Sequence, residues 1–480
     1  MRDQSSHATR RARRAPARPP AHRFKWGGAL AFAIVMLSLL AALGLASVYI
    51  LQLLPSRYVV TYLPEPIQAL LSRPHVELPT PVATLSPEQL AALLTPVAGT
   101  NPSPTPVVAL PTPQLTSTPA PLISAFLTLA PSPTPSPQPS FTPAPTPTLT
   151  LTPAYAPGPT QLARSTPADL ASTSVLLTGF RHAYQGWNNC GPATLAMALS
   201  YFGWGGTQND TAAFLKPDPE DRNVSPEQMA AYVRSQGYQV IVRSGGTLDT
   251  LKALLHAGLP VVIEKGFEPD DKLGWMGHYL LLVGYNQAQK EFVAMDSYLG
   301  PLQSAPFAET DHYWRQFNRI YLVIYGDDMA LTVSQLIGTS FDDAVMYQNA
   351  MAAAQAELAA NPQDAYGWFN VGTNYEVMGM HAEAAAAYDR GRQLGLPWRM
   401  TWYQFGWFEA YLATGRYDDV LALANATLQS NTYSEEMYYY RGRAYAAYGD
   451  VESARTDYQR ALERNPNFSA ARQALEALGR

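Results

Sequence analysis

One cysteine, one histidine and one aspartate lie where they can act together in nucleophilic catalysis. Cys190 is the only cysteine among the 480 residues, and it precedes Gly-Pro at a predicted helix start. The positive end of the helix dipole and the free amides there lower the pKa of a thiol. His278 opens one predicted strand, and Asp296 ends the next. A carboxylate beside an imidazole stabilises the imidazolium, which in turn stabilises a thiolate.

The two strands that carry His278 and Asp296 are predicted to form an antiparallel hairpin. They read HYLLLVGY and EFVAMD, and only NQAQK separates them. A turn centred near Gln287 places His278 directly opposite Asp296, on the same face of the hairpin. Gln185, five residues before Cys190, can donate its side-chain amide to an oxyanion together with the Cys190 backbone amide. The pattern predicts a Cys-His-Asp system that attacks amide carbonyls.

Other residues compete for these roles. A lone cysteine is most often a small buried apolar side chain. The alternative histidines are His182, His256 and His312, and the alternative amide donors are Asn188 and Asn189. No motif indicates a metal or another cofactor, and a single cysteine excludes an intrachain disulfide or a thiolate-rich cluster.

The elements that must position these residues fall between residues 174 and 326, where helix and strand signals alternate. CGPATLAMALSYFGW, SPEQMAAYVRSQG and TLDTLKALLHAG are predicted helices, and VLLTGF, YQVIVR and PVVIEK are predicted strands. Ser225, Pro226 and Gln228 form a capping box at the second helix. Helices lead and strands follow, which predicts an α+β domain.

Three sequence blocks of this region resemble a known family. YQGWNNCGPATLAMALSYFG, GHYLLLVGYN and the following MD are similar to the bacteriocin-processing (double-glycine leader) cysteine peptidases and their stand-alone relatives. The resemblance covers roughly residues 175–326 and implies a papain-like fold. It also implies that Cys190 is the nucleophile, His278 the general base, Asp296 its orienting residue and Gln185 the oxyanion donor.

The sequence departs from this family at several positions. Gln185 lies five residues before the cysteine, where many relatives have six. Asn189 stands where transporter-linked members usually have aspartate, and Ser297 stands where proline is usual. The chain has no GxxxxGK[ST] motif of an ATP cassette. The leader-peptide specificity of the transporter-linked members is therefore not carried over.

The C-terminal part of the chain contains a repeat. One set of residues recurs after an offset of two units of about 35 residues, which resembles tetratricopeptide repeats. Trp368, Gly372, Tyr375, Gly379, Ala384 and Tyr388 recur as Tyr438, Gly442, Tyr445, Gly449, Ala454 and Tyr458. Such helical arrays present extended surfaces, so this part is predicted to bind a protein partner.

The N-terminal part is predicted to hold a membrane anchor and a spacer. Residues 1–26 contain eight lysines and arginines against one acid, and 27–54 are apolar and uncharged. An apolar run longer than ~20 residues spans a bilayer, and its basic side stays in the cytoplasm. Of the 41 prolines, 24 lie between residues 74 and 167. Repeated proline prevents helix and sheet from propagating, which predicts an extended stalk.

The sequence thus predicts a multidomain protein with an α+β papain-like cysteine peptidase domain and an all-α tetratricopeptide repeat array. The predicted segments are a basic cytoplasmic tail (1–26), a transmembrane helix (27–54), a disordered Pro/Ser/Thr-rich stalk (55–173), the peptidase-like domain (174–326) and the repeat domain (327–480). The predicted location is the cell membrane, with a single span, a cytoplasmic N-terminus and the bulk of the chain outside the cytoplasm.

The predicted function is hydrolysis of peptide bonds in a peptide or protein substrate, with the repeats docking a protein partner. The net charge of -5 gives no indication of nucleic-acid binding. One alternative is a catalytically silent scaffold that uses the peptidase fold and the repeats for protein-protein interaction. Another is an acyltransferase or amidase that acts on a non-peptide amide.

Overall fold

The structure is a computed structural model that describes residues 36, 38, 77–81, 86–94, 174–269 and 274–479. The predicted transmembrane helix and basic tail lie outside the described residues, apart from Met36 and Ser38, which are helical. Most of the predicted stalk lies outside them too. Among the residues that are described, no helix has both the length and the apolar character needed to cross a membrane. The described residues from 77 onward belong to one unit, His75–Arg480.

Within the described residues, seven antiparallel strands form one sheet, which we call the sheet domain. The strands are β1 (Ser174–Leu176), β2 (Gln239–Arg243), β3 (Val261–Phe267), β4 (Met276–Asn286), β5 (Glu291–Asp296), β6 (Gly300–Pro306) and β7 (Tyr321–Tyr325). Their order is β2-β7-β3-β4-β5-β6, and β1 pairs with β4. Strand β1 is shorter than the predicted run VLLTGF, and β6 and β7 are absent from the sequence prediction.

The helices fall into two groups, one around the sheet and one after it, and a short helix precedes both. They are α1 (Pro87–Leu93), α2 (Cys190–Tyr201), α3 (Gln208–Leu215), α4 (Pro226–Ser235), α5 (Leu248–His256), α6 (Phe307–Trp314), α7 (Ala330–Ile337), α8 (Asp343–Ala360), α9 (Ala365–Val377), α10 (His381–Gln393), α11 (Gly406–Ala413), α12 (Tyr417–Ser430), α13 (Glu435–Ala447), α14 (Val451–Arg464) and α15 (Ser469–Ala477). We call α8–α15 the helical array.

The sheet carries a hydrophobic core on each face because side chains alternate along its strands. Val262 and Leu281 belong to the core that contains α2 and α4. Their neighbours Val261 and Leu280 belong to the core that contains α5. Helix α2 is enclosed almost completely, with every residue from 191 to 200 buried. Its first residue, Cys190, is therefore fixed by a rigid central helix.

The hairpin of β4 and β5 has a register that the sequence did not predict. Near the turn, Asn286 lies opposite Glu291, so the turn is centred later than Gln287. A β-bulge between Leu282 and Gly284 then shifts the pairing by one residue. A bulge sets two residues of one strand against one residue of its partner.

This register corrects the predicted pairing of His278. Beyond the bulge, the last pair of the hairpin joins Leu281 and Met295. The next pair in this register would join Leu280 and Asp296. The prediction that Asp296 lies directly opposite His278 is therefore wrong. The two residues are diagonal neighbours, which still face the same side of the hairpin.

The helical array shows the same close contact at two positions 70 residues apart. A Cβ atom added to Gly372 of α9 would lie 2.8 Å from the ring of Tyr388 in α10. A Cβ atom added to Gly442 of α13 would lie 2.7 Å from the ring of Tyr458 in α14. Glycine lets the paired helices approach, and a tyrosine from the second helix fills the space. The sequence repeat therefore corresponds to a repeated helix pair.

Candidate active site

Cys190 is the first residue of α2, and the surroundings of its thiol favour the thiolate. Burial raises the pKa of Cys190. A hydrogen bond with His278 and the positive charge of that ring lower it, as do the backbone amides of Tyr279 and Gly191. The lowering effects are larger together, and the pKa of the thiol falls below its usual value. The start of α2 and the His278 imidazole thus both stabilise the negative charge of the Cys190 thiolate.

His278 lies between this thiol and a carboxylate. Its Nε2 is 3.1 Å from Asp296 Oδ1, and both side chains are buried. The same ring interacts with the Cys190 thiol. Burial lowers the pKa of His278, but the bonds to Asp296 and Cys190 and their charges raise it to about 9. The ring is held as an imidazolium at neutral pH, stacked on Phe267 at a centroid distance of 4.7 Å.

Asp296 is kept ionised by donors that converge on one of its oxygens. Oδ1 accepts hydrogen bonds from the backbone amides of Tyr298 and Leu299 at 2.7 and 3.0 Å, besides the bond from His278. Burial raises the pKa of this carboxyl, but His278 and the two amides lower it to about 2. A carboxylate held in this way fixes the tautomer and the orientation of the imidazole.

Gln185 lies beside the same site, and Ser297 orients its amide. The Gln185 backbone amide donates to the Ser297 carbonyl at 2.8 Å, and Ser297 Oγ donates to Gln185 Oε1 at 2.8 Å. Within the described part of the chain, these bonds leave Gln185 Nε2 as a donor for a ligand. The Nδ2 atoms of Asn188 and Asn189, the alternative donors, already bond to Glu220 and Gln208.

The loop before Cys190 is held by Gln208, which the sequence analysis did not identify. Gln208 Oε1 accepts from the Gly186 amide at 2.8 Å and from Asn189 Nδ2 at 3.1 Å. Gln208 Nε2 donates to the Tyr184 carbonyl at 2.8 Å. One side chain of α3 therefore binds three points of the loop. No motif reveals this role, because a glutamine in the first turn of a helix usually faces solvent.

The alternative histidines occupy other positions. His182 Nε2 donates to the backbone carbonyl of Asp296 at 2.9 Å, so it supports the carboxylate's strand rather than the thiol. His256 Nδ1 is 3.3 Å from Tyr285 Oη. His312 is exposed on α6. Of the four histidines considered, His278 is the one with hydrogen bonds to both Cys190 and Asp296.

A narrow cleft with a volume of about 10 Å³ lies beside the thiol, and the helical array supplies part of its wall. The cleft is lined by Asn188, Cys190, Gly191, Arg222, Asn223, Val224, Glu264, Gly277, Tyr279 and Tyr403. Tyr403 follows α10, more than a hundred residues beyond the rest of this set. A Cβ atom added to Gly277 would lie 3.1 Å from the Tyr403 ring. Glycine next to His278 thus permits the array to reach the cleft.

Polar contacts hold the array in this position. Arg399 Nη1 donates to the Trp275 carbonyl at 3.0 Å, close to the start of β4. The Arg222 guanidinium lies over the Trp402 ring, 4.4 Å from its centroid. Asn223 Nδ2 donates to the buried Glu436 Oε1 at 3.1 Å. Sequence spacing cannot reveal these contacts, because they join residues far apart in the chain.

The sheet domain and the helical array each match a known family model. Residues 177–322 match the model of the Peptidase_C39 like family, and residues 436–468 match that of the tetratricopeptide repeat. No curated protein matches significantly. The chain therefore combines a C39-like peptidase domain, which contains the sheet, with a helical region of tetratricopeptide repeats.

Two solved structures each align with about a third of the chain. A crystal structure described as a C39-like peptidase from Bacillus anthracis has 17% identity, covering 32% of this chain and 98% of its own, at a TM-score of 0.28. A double-glycine-motif protease from the AMS/PCAT transporter, solved with its leader peptide, has 19% identity at the same coverages and a TM-score of 0.24.

The charge state of Cys190 can be tested by the pH dependence of its alkylation. We expect iodoacetamide to label Cys190 rapidly well below the pH at which a free thiol, with a pKa of ~8.5, becomes reactive. In His278→Ala, the opposing hydrogen bond and charge are lost while burial remains, so the labelling midpoint moves to higher pH. Labelling between about pH 4 and pH 10 is measured by mass spectrometry of the Cys190 peptide.

His312→Ala is the matched control for this experiment, because it removes an exposed histidine of the same domain. Its labelling profile should coincide with that of the unmodified chain. An unmodified chain that labels like a free thiol, or a His278→Ala profile that does not move, would contradict the hydrogen-bonded pair.

The contribution of Tyr403 to the cleft can be tested with thiol reagents of different size. Tyr403→Ala removes a ring from the wall, so labelling of Cys190 by a bulky maleimide should accelerate about tenfold or more relative to labelling by iodoacetamide. Tyr448→Ala, which truncates an exposed tyrosine of the array, should leave that ratio unchanged. An unchanged ratio in Tyr403→Ala would mean that the array does not limit access to the thiol.

Proposed function

We propose that this chain is a membrane-anchored cysteine peptidase in which a papain-like domain, residues 174–326, hydrolyses peptide bonds. The repeat domain, residues 327–480, docks a protein partner or substrate. The observation that carries the proposal is the half-buried Cys190 thiol, which interacts with a His278 ring that is hydrogen-bonded to the buried Asp296. A thiol, an imidazolium and a carboxylate in this order are the parts of an activated nucleophile.

The first half of the reaction forms an acyl-enzyme. The Cys190 thiolate attacks the carbonyl carbon of the scissile peptide bond, and the carbonyl oxygen becomes an oxyanion. Gln185 Nε2 and the Cys190 backbone amide donate hydrogen bonds to that oxygen. His278 then gives its proton to the leaving amine as the carbon–nitrogen bond breaks. The products are a free amine and a thioester on Cys190.

The second half releases the acid. His278, now neutral, takes a proton from a water molecule that attacks the thioester carbonyl. The carbon–sulfur bond breaks, the carboxylic acid leaves, and the thiolate–imidazolium pair is restored. Asp296 remains ionised throughout and stabilises the imidazolium. No cofactor takes part in these steps.

The family match supports a peptide as the substrate class, because residues 177–322 match the Peptidase_C39 like family. The proposed roles fit such a substrate, since the Cys190 thiolate is a nucleophile for an amide carbonyl and Gln185 Nε2 is a donor for the oxyanion.

The proposed activity can be tested with the full chain in detergent and a mixture of unstructured peptides. We expect hydrolysis that Cys190→Ala abolishes. Gln185→Ala should lower kcat/KM about 10²–10³-fold through loss of one oxyanion donor, while leaving the alkylation rate of Cys190 unchanged. Product masses measured by mass spectrometry report both the cleaved bond and the rate.

Gln289→Ala is the control, because it truncates an exposed glutamine of the same domain, in the turn after β4, and should leave hydrolysis unchanged. A reactive Cys190 with hydrolysis of a non-peptide amide or acyl transfer alone would favour the amidase or acyltransferase alternative. An unreactive Cys190 with no turnover would favour the catalytically silent scaffold.

We further propose that the apolar segment 27–54 anchors the chain in the cell membrane, with residues 1–26 in the cytoplasm and the peptidase outside it. The excess of basic residues before an uncharged run longer than ~20 residues supports this orientation.

The orientation can be tested by thiol labelling in a Cys190→Ala background. A membrane-impermeant reagent added to intact cells should label Ala288→Cys, in the exposed turn after β4. It should label Ser5→Cys only after the cells are permeabilised. The reverse pattern would show the opposite orientation, and labelling of both in intact cells would exclude a cytoplasmic N-terminus.

A further inference from the structure

A short piece of the predicted stalk packs against the helical array. Residues 77–81 and 86–94, which we call the docking segment, belong to the described part of the chain. Leu93 is 5% exposed and lies in the same hydrophobic core as Trp368 and Phe369 of the array. Leu78, Leu90 and Leu94 pack against that core as well. The apolar side chains of the segment therefore face the array.

The array also satisfies the main chain of the segment at the end of its helix. The last carbonyls of a helix have no partner within the helix. In α1, the Leu93 carbonyl accepts a hydrogen bond from Tyr375 Oη of α9 at 2.9 Å. It accepts a second from Gln355 Nε2 of α8 at 3.3 Å. Side chains of the array thus cap the C-terminus of α1.

A second main-chain contact involves a buried arginine. Arg392 Nη2 donates to the Pro79 carbonyl, before α1 begins. The side chain of Arg392 is 1% exposed, and its Nη1 bonds to Asp419 and Tyr411 within the array. The guanidinium is therefore fixed with one nitrogen directed at the segment. With the segment in place this nitrogen is shielded from water, and the Pro79 carbonyl supplies the acceptor that a buried guanidinium needs.

Helix α1 depends on this contact for its stability. It spans seven residues, and helices shorter than ~12 residues are marginal in water without tertiary packing. Its N-terminus is closed locally, because Ser86 and Gln89 form a capping box. The C-terminus and the apolar face are completed by the array. The residues that recognise the segment come from α8, α9 and α10.

We propose that the helical array binds the docking segment as an intramolecular ligand. Both ends of residues 95–173 are then held on the same structural unit. Residue 94 ends on the array, and β1, at residue 174, pairs with β4 in the sheet domain. The proline-rich residues then connect two points of the same unit instead of separating an anchor from the catalytic domain. A cut between residues 95 and 173 leaves the peptidase attached. This proposal does not depend on catalysis.

Hydrogen exchange of the full chain tests whether the segment is bound. The amides of Leu90 and Leu94 donate within α1 and should exchange about tenfold or more slowly than in an unstructured peptide. Leu90→Asp combined with Leu93→Asp should abolish this protection while the amides of α9 and α13 keep theirs. Leu110→Asp, the same substitution in the proline-rich part, should change nothing. Unprotected amides in the unmodified chain would overturn the proposal.

Cleavage tests the consequence. A specific protease site is inserted between Pro135 and Ser136 of the full chain, which carries an affinity tag at its N-terminus. After cleavage in detergent at tens of micromolar protein, the C-terminal fragment should remain on the affinity resin. The Leu90→Asp, Leu93→Asp variant should release it. Release from the unmodified chain, or retention by the variant as well, would overturn the proposal.

Discussion

One extra residue in strand β4 decides which side of the sheet Asp296 faces. Counted from the turn alone, the pairing of Asn286 with Glu291 would put Asp296 on the face opposite to His278. The bulge before Gly284 shifts the register by one and returns the carboxylate to the imidazole's face, because side chains alternate along a strand. The hydrogen bond of 3.1 Å between them follows from this shift. Without it the imidazolium would lose its counter-charge.

The bulge in turn depends on the neighbouring strand. A Cβ atom added to Gly284 would lie 2.3 Å from the Val175 carbonyl of β1. Glycine there lets β1 pair with β4 at the irregular position, and the Leu177 amide bonds to the Val283 carbonyl at 2.8 Å. The chain leaving β1 then leads to the loop that carries Gln185 and Cys190. One short strand thus stabilises the irregular hairpin and brings the nucleophile's loop to it.

Sequence patterns predict those functional residues whose roles depend on nearby residues in the chain. The helix start at Cys190 and the placement of His278 and Asp296 on consecutive strands could be identified from spacing. The direct pairing of His278 with Asp296 was wrong because spacing contains no information about a bulge. In the sequence, Ser297 is notable only because the related family usually has proline there. In the structure, its hydroxyl orients Gln185.

The rest of the site depends on contacts between distant parts of the chain. Tyr403 reaches the cleft because the short 3₁₀ helix Trp398–Trp402 before it packs against β4. A repeat pattern does not specify where an array docks. Gln208 holds the loop before Cys190 through side-chain hydrogen bonds. In the sequence, nothing distinguishes it from any other surface glutamine. The seven-residue α1 lies within the proline-rich residues 74–167, and its stability comes from the array rather than from its own sequence.

The helical array and the catalytic cleft share packing, so the array is a structural part of the site. One continuous hydrophobic core contains Leu93 of the docking segment, Tyr388 of the first helix pair, and Trp275 and Phe317 of the sheet domain. Trp275 and Phe317 stack at 5.8 Å, and Tyr403 packs edge-on against both. Because interiors are close-packed, a change in this core is transmitted to its neighbours. The rigidity of the cleft wall therefore depends on the packing of α9 and α10, the first helix pair of the array.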